Sequence, residues 1–201
     1  MIKILNLYAG IGGNRKLWNG DIEITAVEYD KKIAKIYQDF YPNDIVIIED
    51  AHHYLLKHFR EYDFIWASPP CPTHSRLSMS HKNNPKYPDM RLYQEIILLQ
   101  YFYKGKFVIE NVIPYYSYLI NPNVIFDRHA FWSNFDIPKK DFNFERKSLI
   151  KMTIQDLQEY HKVDLSKYKG IDKTLILRNM VHYEIGKYIF DIAINNIRGE
   201  I

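Results

Sequence analysis

The sequence has 201 residues, with 27 Lys and Arg against 24 Asp and Glu, and 47% of its residues are hydrophobic. This length predicts one domain, and the hydrophobic share is enough for a packed core, which argues against a disordered binding segment. A single cysteine excludes a disulfide framework and a zinc site built from several cysteines. A formal net charge of +3 permits a nucleic-acid partner without requiring one.

Signals for targeting, membrane insertion and metal binding are absent from the sequence. The first apolar run, Ile2–Leu7, is too short for a secretory signal peptide. No apolar stretch reaches the roughly 18 residues of a transmembrane helix. The histidines lack the paired spacing of metal ligands. We therefore expect a soluble, cytoplasmic protein that binds no metal.

Short apolar segments alternate with helical patterns along the first half of the chain. The predicted strands are 2–7, 22–27, 45–48, 62–67 and 107–109. The predicted helices start at Asn14 and cover 30–40, 91–103 and 183–194. Alternation of this kind is typical of an α/β fold whose parallel strands are joined by right-handed crossovers.

Ligands of parallel α/β sheets bind beyond the carboxyl ends of the strands. At these ends the sequence places the turn 10–13, Glu28, Asp50, Cys71 and Glu110. We therefore expect these five features to converge on one rim of the sheet.

The glycine turn, Gly10-x-Gly12-Gly13, would let the backbone approach a ligand closely. The N-terminus of a helix that follows it would favour an anionic group. The spacing lacks the third glycine of a dinucleotide fingerprint, so a simple tight turn is an equally good interpretation.

The acidic residues at two strand ends have two interpretations each. Glu28 could bind ribose hydroxyls, with Tyr29 stacking on a purine, or could be a solvated strand end. Asp50 could accept a hydrogen bond from an adenine amino group, or could cap a helix that starts at Ala51.

The cysteine lies in a rigid, proline-rich loop, where Cys71 follows Pro69 and Pro70. A thiolate is a strong nucleophile, and cations lower the pKa of a thiol; His74 and Arg76 are close in sequence. The alternative is a buried structural cysteine. The proline-rich loop makes that alternative less consistent with the sequence.

Two polar segments complete the set of candidate functional residues. Glu110 could act as a general acid or bind a base edge, or it could be a capping residue. The segment 128–134 mixes cations with aromatic residues, which could bind phosphate, stack on a base, or fill the core.

Four segments, in their order along the chain, give the sequence a pattern that resembles the cytosine-5 DNA methyltransferases, most closely the short phage-encoded members. They are Asn6–Gly13, Val27–Asp30, Ser68–Cys71 and Glu110–Val112. The resemblance implies a Rossmann-like, S-adenosylmethionine-dependent methyltransferase fold, with a mostly parallel sheet of the seven-stranded type and helices on both faces. It implies one catalytic domain over 1–201, a DNA substrate, and a role such as phage protection against host restriction.

The resemblance also implies a cofactor site for S-adenosyl-L-methionine. The turn would hold the methionine part, Glu28 the ribose, Tyr29 would face the adenine and Asp50 would accept from its amino group. The implied cofactor-binding residues are Tyr8, Ala9, Gly10, Ile11, Gly12, Gly13, Glu28, Tyr29, Asp50, Ala51, Pro69, Asn179 and Val181.

The resemblance assigns the chemistry to Cys71, which would attack C6 of cytosine, and to Glu110, which would protonate or hydrogen-bond N3. Covalent addition at C6 makes C5 nucleophilic. Arg128 would contact the base or the intermediate, although His129 could hold that position instead. The implied nucleic-acid-binding residues are Pro70, Ser75, Arg76, Asn111, Arg128, Lys139 and Lys140.

The chain departs from the family pattern at several places. Pro72 follows the cysteine at a position where the family usually has Gln, and Asn6 lies where the family often has Asp. In the segment Arg178–Val181, Arg178 replaces the Gly of the family. The segment 139–173 is much shorter than a usual target-recognition domain. It is predicted to be a reduced recognition insertion, or simply a solvated surface with a helix capped by Thr153.

Two alternative functions are consistent with the sequence, and a third is weak. The substrate could be RNA, because the sequence Ser68–Cys71 also occurs in the branch that methylates transfer RNA. The chain could be a weakly active subunit that needs a partner for target recognition. A nicotinamide dehydrogenase explains neither the glycine spacing nor Cys71 and Glu110.

Overall fold

The computed structural model describes residues 1–76, 87–144, 149 and 151–200. Within these residues one sheet has seven strands in the order β3-β2-β1-β4-β5-β7-β6. The strands are β1 (Ile2–Leu7), β2 (Ile22–Val27), β3 (Ile45–Ile47), β4 (Phe64–Ala67), β5 (Lys106–Val112), β6 (Val124–Phe126) and β7 (His129–Ser133). Strands β1 to β5 pair in parallel, and β7 is antiparallel to β5 and β6. The predicted mostly parallel α/β fold is confirmed.

Helices cover both faces of this sheet. They are α1 (Lys31–Phe40), α2 (Ala51–His58), α3 (Arg91–Phe102), α4 (Ile154–His161), α5 (Lys173–Asn179) and α6 (Tyr183–Arg198), with a 3-10 turn at Phe59–Glu61. On one face Phe190 of α6 packs with Phe64 of the sheet. On the other face Leu55 of α2 and Leu99 of α3 pack with Ile65. Burial of these apolar side chains is the main stabilising term.

The helix predicted from Asn14 does not form, and that prediction is wrong. Turns lead from the glycine turn toward β2, and the Asn14 side chain donates to Asn6 Oδ1 at 2.9 Å. Trp18 is buried, donates from Nε1 to the Gly186 carbonyl at 3.1 Å and stacks on Phe190. These tertiary contacts fix the short crossover without a helix. The expected helix N-terminus for an anionic group is therefore also absent from this turn.

The strand register places the ends of the central strands side by side. Leu7 at the end of β1 pairs with Val27 of β2 and with Ala67 of β4. Ala67 in turn pairs with Ile109 of β5. The residues that follow these positions therefore share one rim, as predicted from the sequence. Strand β5 is longer than predicted and contains Glu110, because it continues in antiparallel pairing with β7.

The predicted insertion 139–173 is described except at 145–148 and 150. It contains α4, whose first turn is closed by a capping box between Thr153 and Asp156, as the sequence predicts for Thr153. Leu157 and Leu165 are fully buried with Ile11 and Ile36. This segment therefore packs against the glycine turn and α1 rather than forming only a solvated surface.

Among the described helices, none is long and apolar enough to cross a lipid bilayer.

Candidate functional site

A cleft of about 1560 Å³ opens at the rim of the sheet, and a pocket of about 340 Å³ lies beside it. The cleft is lined by Gly10, Cys71, Glu110 and Arg128 among others. Residues common to the cleft and the pocket are Tyr8, Glu28, Tyr29, Pro69 and Pro70. The fold thus brings the predicted catalytic residues and all predicted cofactor residues except Gly12 into one continuous depression.

The glycines of the turn differ in what surrounds them. Gly10 has a φ of 55°, and a Cβ placed there would meet no atom within 4 Å, so its backbone is open. Gly12 has a φ of 80°, and a Cβ would lie 2.3 Å from the Tyr41 ring. A Cβ on Gly13 would lie 2.8 Å from Met180. Gly10 and Gly13 line the cleft, whereas Gly12 does not and allows the turn to pack closely.

Glu28 supports the turn through both carboxylate oxygens. Oε2 accepts from Gly10 N and Oε1 accepts from Asp30 N, each at 2.9 Å. The adjacent Tyr29 is 77% exposed and lines both the cleft and the smaller pocket. Each Glu28 oxygen has a second lone pair for a further donor.

The smaller pocket is closed by the start of α2. Asp50 caps this helix by accepting from His53 N at 2.9 Å, so the capping interpretation of its sequence is correct. Asp50 also lines the pocket, as does the buried Ala51. Arg91 at the start of α3 lies 3.6 Å from the Asp50 carboxylate.

The loop that carries Cys71 is fixed by backbone bonds. The Cys71 backbone carbonyl accepts hydrogen bonds from His74 N and Ser75 N, each at 3.0 Å. The His74 carbonyl accepts from Tyr115 N at 3.1 Å, and the buried His74 ring contacts the Tyr116 hydroxyl at 2.5 Å. The thiol-bearing loop is therefore attached to the chain that follows β5.

Glu110 is buried, and this burial raises the pKa of its carboxyl group to about 7. A hydrogen bond from Ser68 and the positive charge of Arg128 act in the opposite direction. Ser68 Oγ accepts from Trp66 Nε1 at 3.0 Å, which leaves its own proton for Glu110. A substantial fraction of Glu110 is therefore protonated at neutral pH and can donate a proton.

Sequence reasoning did not identify Ser68 as a partner of Glu110 and considered His129 only as an alternative to Arg128. His129 Nε2 lies 3.5 Å from Glu110 Oε1. Burial keeps the pKa of His129 well below its usual value, so the ring is neutral. This proximity follows from the β7 register, which pairs His129 with Val112, two residues after Glu110, and which the local sequence does not specify.

The thiol of Cys71 has a raised pKa, and the expectation that neighbouring cations would lower it is wrong. Burial is the largest cause, and the Glu110 carboxylate adds to it; Arg128 lowers the pKa but does not prevail. Burial also lowers the pKa of His74, so that ring is neutral and provides no positive charge at neutral pH. The cleft therefore holds a protonated thiol near a carboxylic acid.

Arg128 connects the hairpin between β6 and β7 to the last part of the cleft. Its guanidinium donates to the Arg178 carbonyl and to the Met180 carbonyl. Asn179 and Val181, which flank Met180, line the cleft together with Arg128. The Arg178–Val181 segment thus reaches the site predicted for it.

Three residues predicted to bind nucleic acid do not line the cleft. Asn111 is 1% exposed, and its Nδ2 donates to the Pro69 carbonyl at 2.9 Å. Lys139 and Lys140 are exposed elsewhere, and Lys140 Nζ lies 4.7 Å from the Tyr188 ring centroid. Pro70, Ser75 and Arg76 do line the cleft. Among the described residues, no cluster of three or more His, Cys, Asp or Glu could hold a metal ion.

A model of the family of C-5 cytosine-specific DNA methylases matches residues 2–114, more than half of the chain. The matched region contains β1 to β5, Cys71 and Glu110. No curated protein matches the chain.

Several solved structures are similar over part of the chain. A DNMT2 variant from Spodoptera frugiperda is 29% identical with a TM-score of 0.39, covering 56% of this chain and 36% of that one. A putative DNA modification methyltransferase from an Escherichia coli prophage is 19% identical with a TM-score of 0.40, covering 58% and 34%. A SAM-dependent methyltransferase from Agrobacterium tumefaciens is 18% identical with a TM-score of 0.37, covering 58% and 40%. The region that this chain matches is about a third of the length of each of the first two proteins.

Proposed function

Because the chain belongs to the family of C-5 cytosine-specific DNA methylases, we propose that it methylates C5 of cytosine in DNA through a covalent bond between Cys71 and C6. The family consists of methyltransferases that use S-adenosyl-L-methionine, which is the cofactor of this chain. One observation carries the proposal: the glycine turn, Cys71 and Glu110 line the same cleft.

The residues at the rim fit this cofactor. The open backbone at Gly10 lets a ligand approach the turn closely. Glu28 would accept from the ribose hydroxyls while it holds the turn, and the exposed Tyr29 would cover the adenine. When bound, S-adenosyl-L-methionine supplies a methyl group that its sulfonium centre makes electrophilic.

Cys71 would supply the nucleophile. The thiol has a raised pKa, so its proton passes to solvent water as the sulfur adds to C6 of the cytosine. The C5–C6 double bond is consumed, and the electron density moves toward C5, which can then accept a methyl group. Arg128 lies close enough to Cys71 to favour its anionic form as the bond forms.

Glu110 would supply the proton that N3 needs as the sulfur adds. With a pKa of about 7, the buried carboxyl group is partly protonated at neutral pH, and donating its proton costs little free energy. Ser68 hydrogen-bonds the carboxyl group, and the neutral ring of His129 lies 3.5 Å from it. Once C5 has taken the methyl group, S-adenosylhomocysteine is the leaving group. Solvent water would then take the C5 proton as the Cys71–C6 bond breaks, which restores the aromatic ring and releases Cys71 as a thiolate. The N3 proton returns to the Glu110 carboxylate.

The target base must leave a duplex to reach this recessed cleft, which costs a few kcal/mol. We propose that 139–173 is a reduced target-recognition region, in which Lys139 and Lys140 contact phosphates outside the cleft. Such contacts position a duplex without reading its sequence. If the protein alone methylates DNA weakly, the proposal includes a separate chain that recognises the target sequence.

The direct test is transfer of a labelled methyl group from S-adenosyl-L-methionine to DNA and, in parallel, to RNA. We expect label in DNA at C5 of cytosine, with its sequence context read by bisulfite sequencing of DNA from cells that express the chain. Label in RNA alone would support the second candidate, for which the Ser68–Cys71 sequence is the supporting feature. Absence of label in both DNA and RNA would contradict the proposal that this chain methylates cytosine without a partner.

Formation of a covalent adduct with DNA that contains 5-fluorocytosine tests the mechanism separately. Fluorine at C5 blocks the final elimination, so the Cys71–C6 bond should persist through denaturation. A chain that methylates cytosine but forms no such adduct would contradict the covalent route.

A further inference from the structure

A buried carboxylate lies behind the smaller pocket and takes no part in the mechanism above. Glu95, on α3, has an exposed fraction of 0%. Its Oε1 accepts from the Tyr8 hydroxyl at 2.5 Å and lies 2.8 Å from His52 Nδ1. Burying a carboxylate is costly unless hydrogen-bond partners compensate, so these two contacts support the buried carboxylate.

The two partners of Glu95 belong to two different segments next to the pocket. Tyr8 begins the glycine turn after β1, and His52 follows Ala51 in the first turn of α2. Tyr8 and Ala51 both line the pocket. A single carboxylate oxygen therefore joins the turn that would hold the cofactor to the helix start that would face its adenine.

The backbone of Tyr8 requires such an anchor. Its φ of 54° is in the left-handed region, which a bulky non-glycine residue rarely adopts. A conformation of this kind persists only where the surrounding structure holds it. The hydroxyl bond to Glu95 fixes the ring at the far end of the same side chain.

We propose that Glu95 is a positioning residue for the cofactor: through Tyr8 and His52 it sets the separation of these two segments. This inference rests on the proposed function, because it takes the pocket to be the cofactor site. Glu95 itself touches no substrate, and it acts through the two residues that it joins.

The chemistry of the contact distinguishes two replacements of Glu95. Glu95→Gln keeps one oxygen that can accept from both Tyr8 and His52, although it removes the charge. Glu95→Leu removes the acceptor and leaves two buried donors without a partner. A positioning role therefore predicts rescue by Gln, whereas a general need for bulk at this position predicts that Leu is tolerated.

The experiment measures binding of S-adenosylhomocysteine to the full chain by calorimetry, with no nucleic acid present. Tyr8→Phe is expected to weaken binding about tenfold, as loss of one hydrogen bond would. Glu95→Leu is expected to weaken it by at least as much, because it also removes the contact with His52. The double variant is expected to bind no more weakly than Glu95→Leu alone, because Glu95→Leu already removes the contact with Tyr8. Glu95→Gln is expected to bind nearly as well as the unmodified chain.

Tyr103→Phe is the matched control. Tyr103 is a buried tyrosine whose hydroxyl donates to the Tyr62 carbonyl at 2.9 Å, and it does not line the pocket, whereas the half-buried Tyr8 does. This variant is expected to lower the melting temperature without changing the affinity. If Glu95→Leu does not fold, Tyr8→Phe and Glu95→Gln still decide the question, because each preserves the size of the side chain.

Full affinity in Tyr8→Phe, or equal loss of affinity in Tyr8→Phe and the Tyr103→Phe control, would overturn the inference. Its failure is distinguishable from that of the proposed function. Intact S-adenosylhomocysteine binding without methyl transfer would contradict the reaction, whereas intact methyl transfer with unchanged variant affinities would contradict the role of Glu95 alone.

Discussion

Asn111 donates its side-chain amide to the Pro69 carbonyl at 2.9 Å, which ties β5 directly to the loop that carries the thiol. Asn111 follows Glu110 in the strand, and Pro69 precedes Cys71 by two residues. This buried hydrogen bond therefore helps to set the relative position of Cys71 and Glu110, the two residues proposed to act on one cytosine ring. The resemblance assigned Asn111 to nucleic acid, whereas this placement gives it a positioning role.

Replacing Asn111 by Ala should lower the rate of methyl transfer more than it lowers cofactor affinity. The change leaves the buried Pro69 carbonyl without its partner, at a cost of about 1–3 kcal/mol, and frees the nucleophile loop. Single-turnover kinetics and calorimetry with S-adenosylhomocysteine would separate the two effects.

Asn134→Ala is the control for that variant, because Asn134 makes similar bonds at the opposite end of β5. Its Nδ2 donates to the Gly105 carbonyl at 2.8 Å, and its Oδ1 accepts from Phe107 N at 3.0 Å. It should reduce stability and leave the rate unchanged. Equal losses of rate in both variants would reduce Asn111 to a general stabilising residue.

Replacing Cys71 by Ala should abolish methyl transfer and adduct formation with 5-fluorocytosine DNA. Cofactor affinity should remain largely intact, because the thiol is expected to act on the base rather than to hold the cofactor. Scintillation counting and denaturing gels measure the two activities. Normal turnover in this variant would end the assignment of Cys71 as the nucleophile.

The rate should fall as the pH rises through about 7, where Glu110 loses its proton. Glu110→Gln cannot donate a proton, so it should be slower by about 10²–10⁴-fold and lack this descending limb. A pH profile of kcat/KM for both forms is the measurement. A descending limb that persists in Glu110→Gln would assign the titration to another group.

Stability should also depend on the protonation of Glu110. Its pKa is raised on folding from 4.5 to about 7, so the folded state binds more protons between these values. The unfolding free energy should therefore decrease by about 3 kcal/mol as the pH rises from 4.5 to 7. Urea unfolding at several pH values should show this decrease in the unmodified chain and a smaller one in Glu110→Gln.

Replacing Glu28 by Ala should weaken cofactor binding rather than the chemical step. The change removes the acceptor for the ribose and also frees Gly10 N and Asp30 N, which the carboxylate holds in the turn. Glu23→Ala, on the same strand but away from the cleft, is the control. Unchanged affinity for S-adenosylhomocysteine in Glu28→Ala would count against the ribose contact.

Local sequence was sufficient for the parallel core and for the location of the rim. Apolar runs define β1 to β4 to within two residues, because a strand buried on both faces needs continuous apolar side chains. Glu28 and Cys71 follow two of these runs directly or after a short loop, and parallel strands bring their carboxyl ends together.

Only the tertiary structure decided the features that depend on contacts between distant segments. Trp18 packs against α6, far along the chain, and this contact replaces the helix predicted from Asn14. Burial by the surrounding fold gives Glu110 a pKa of about 7 and raises the pKa of Cys71 against the expectation from nearby cations. Desolvation depends on the whole set of neighbours around a group, and the order of residues along the chain does not specify that set.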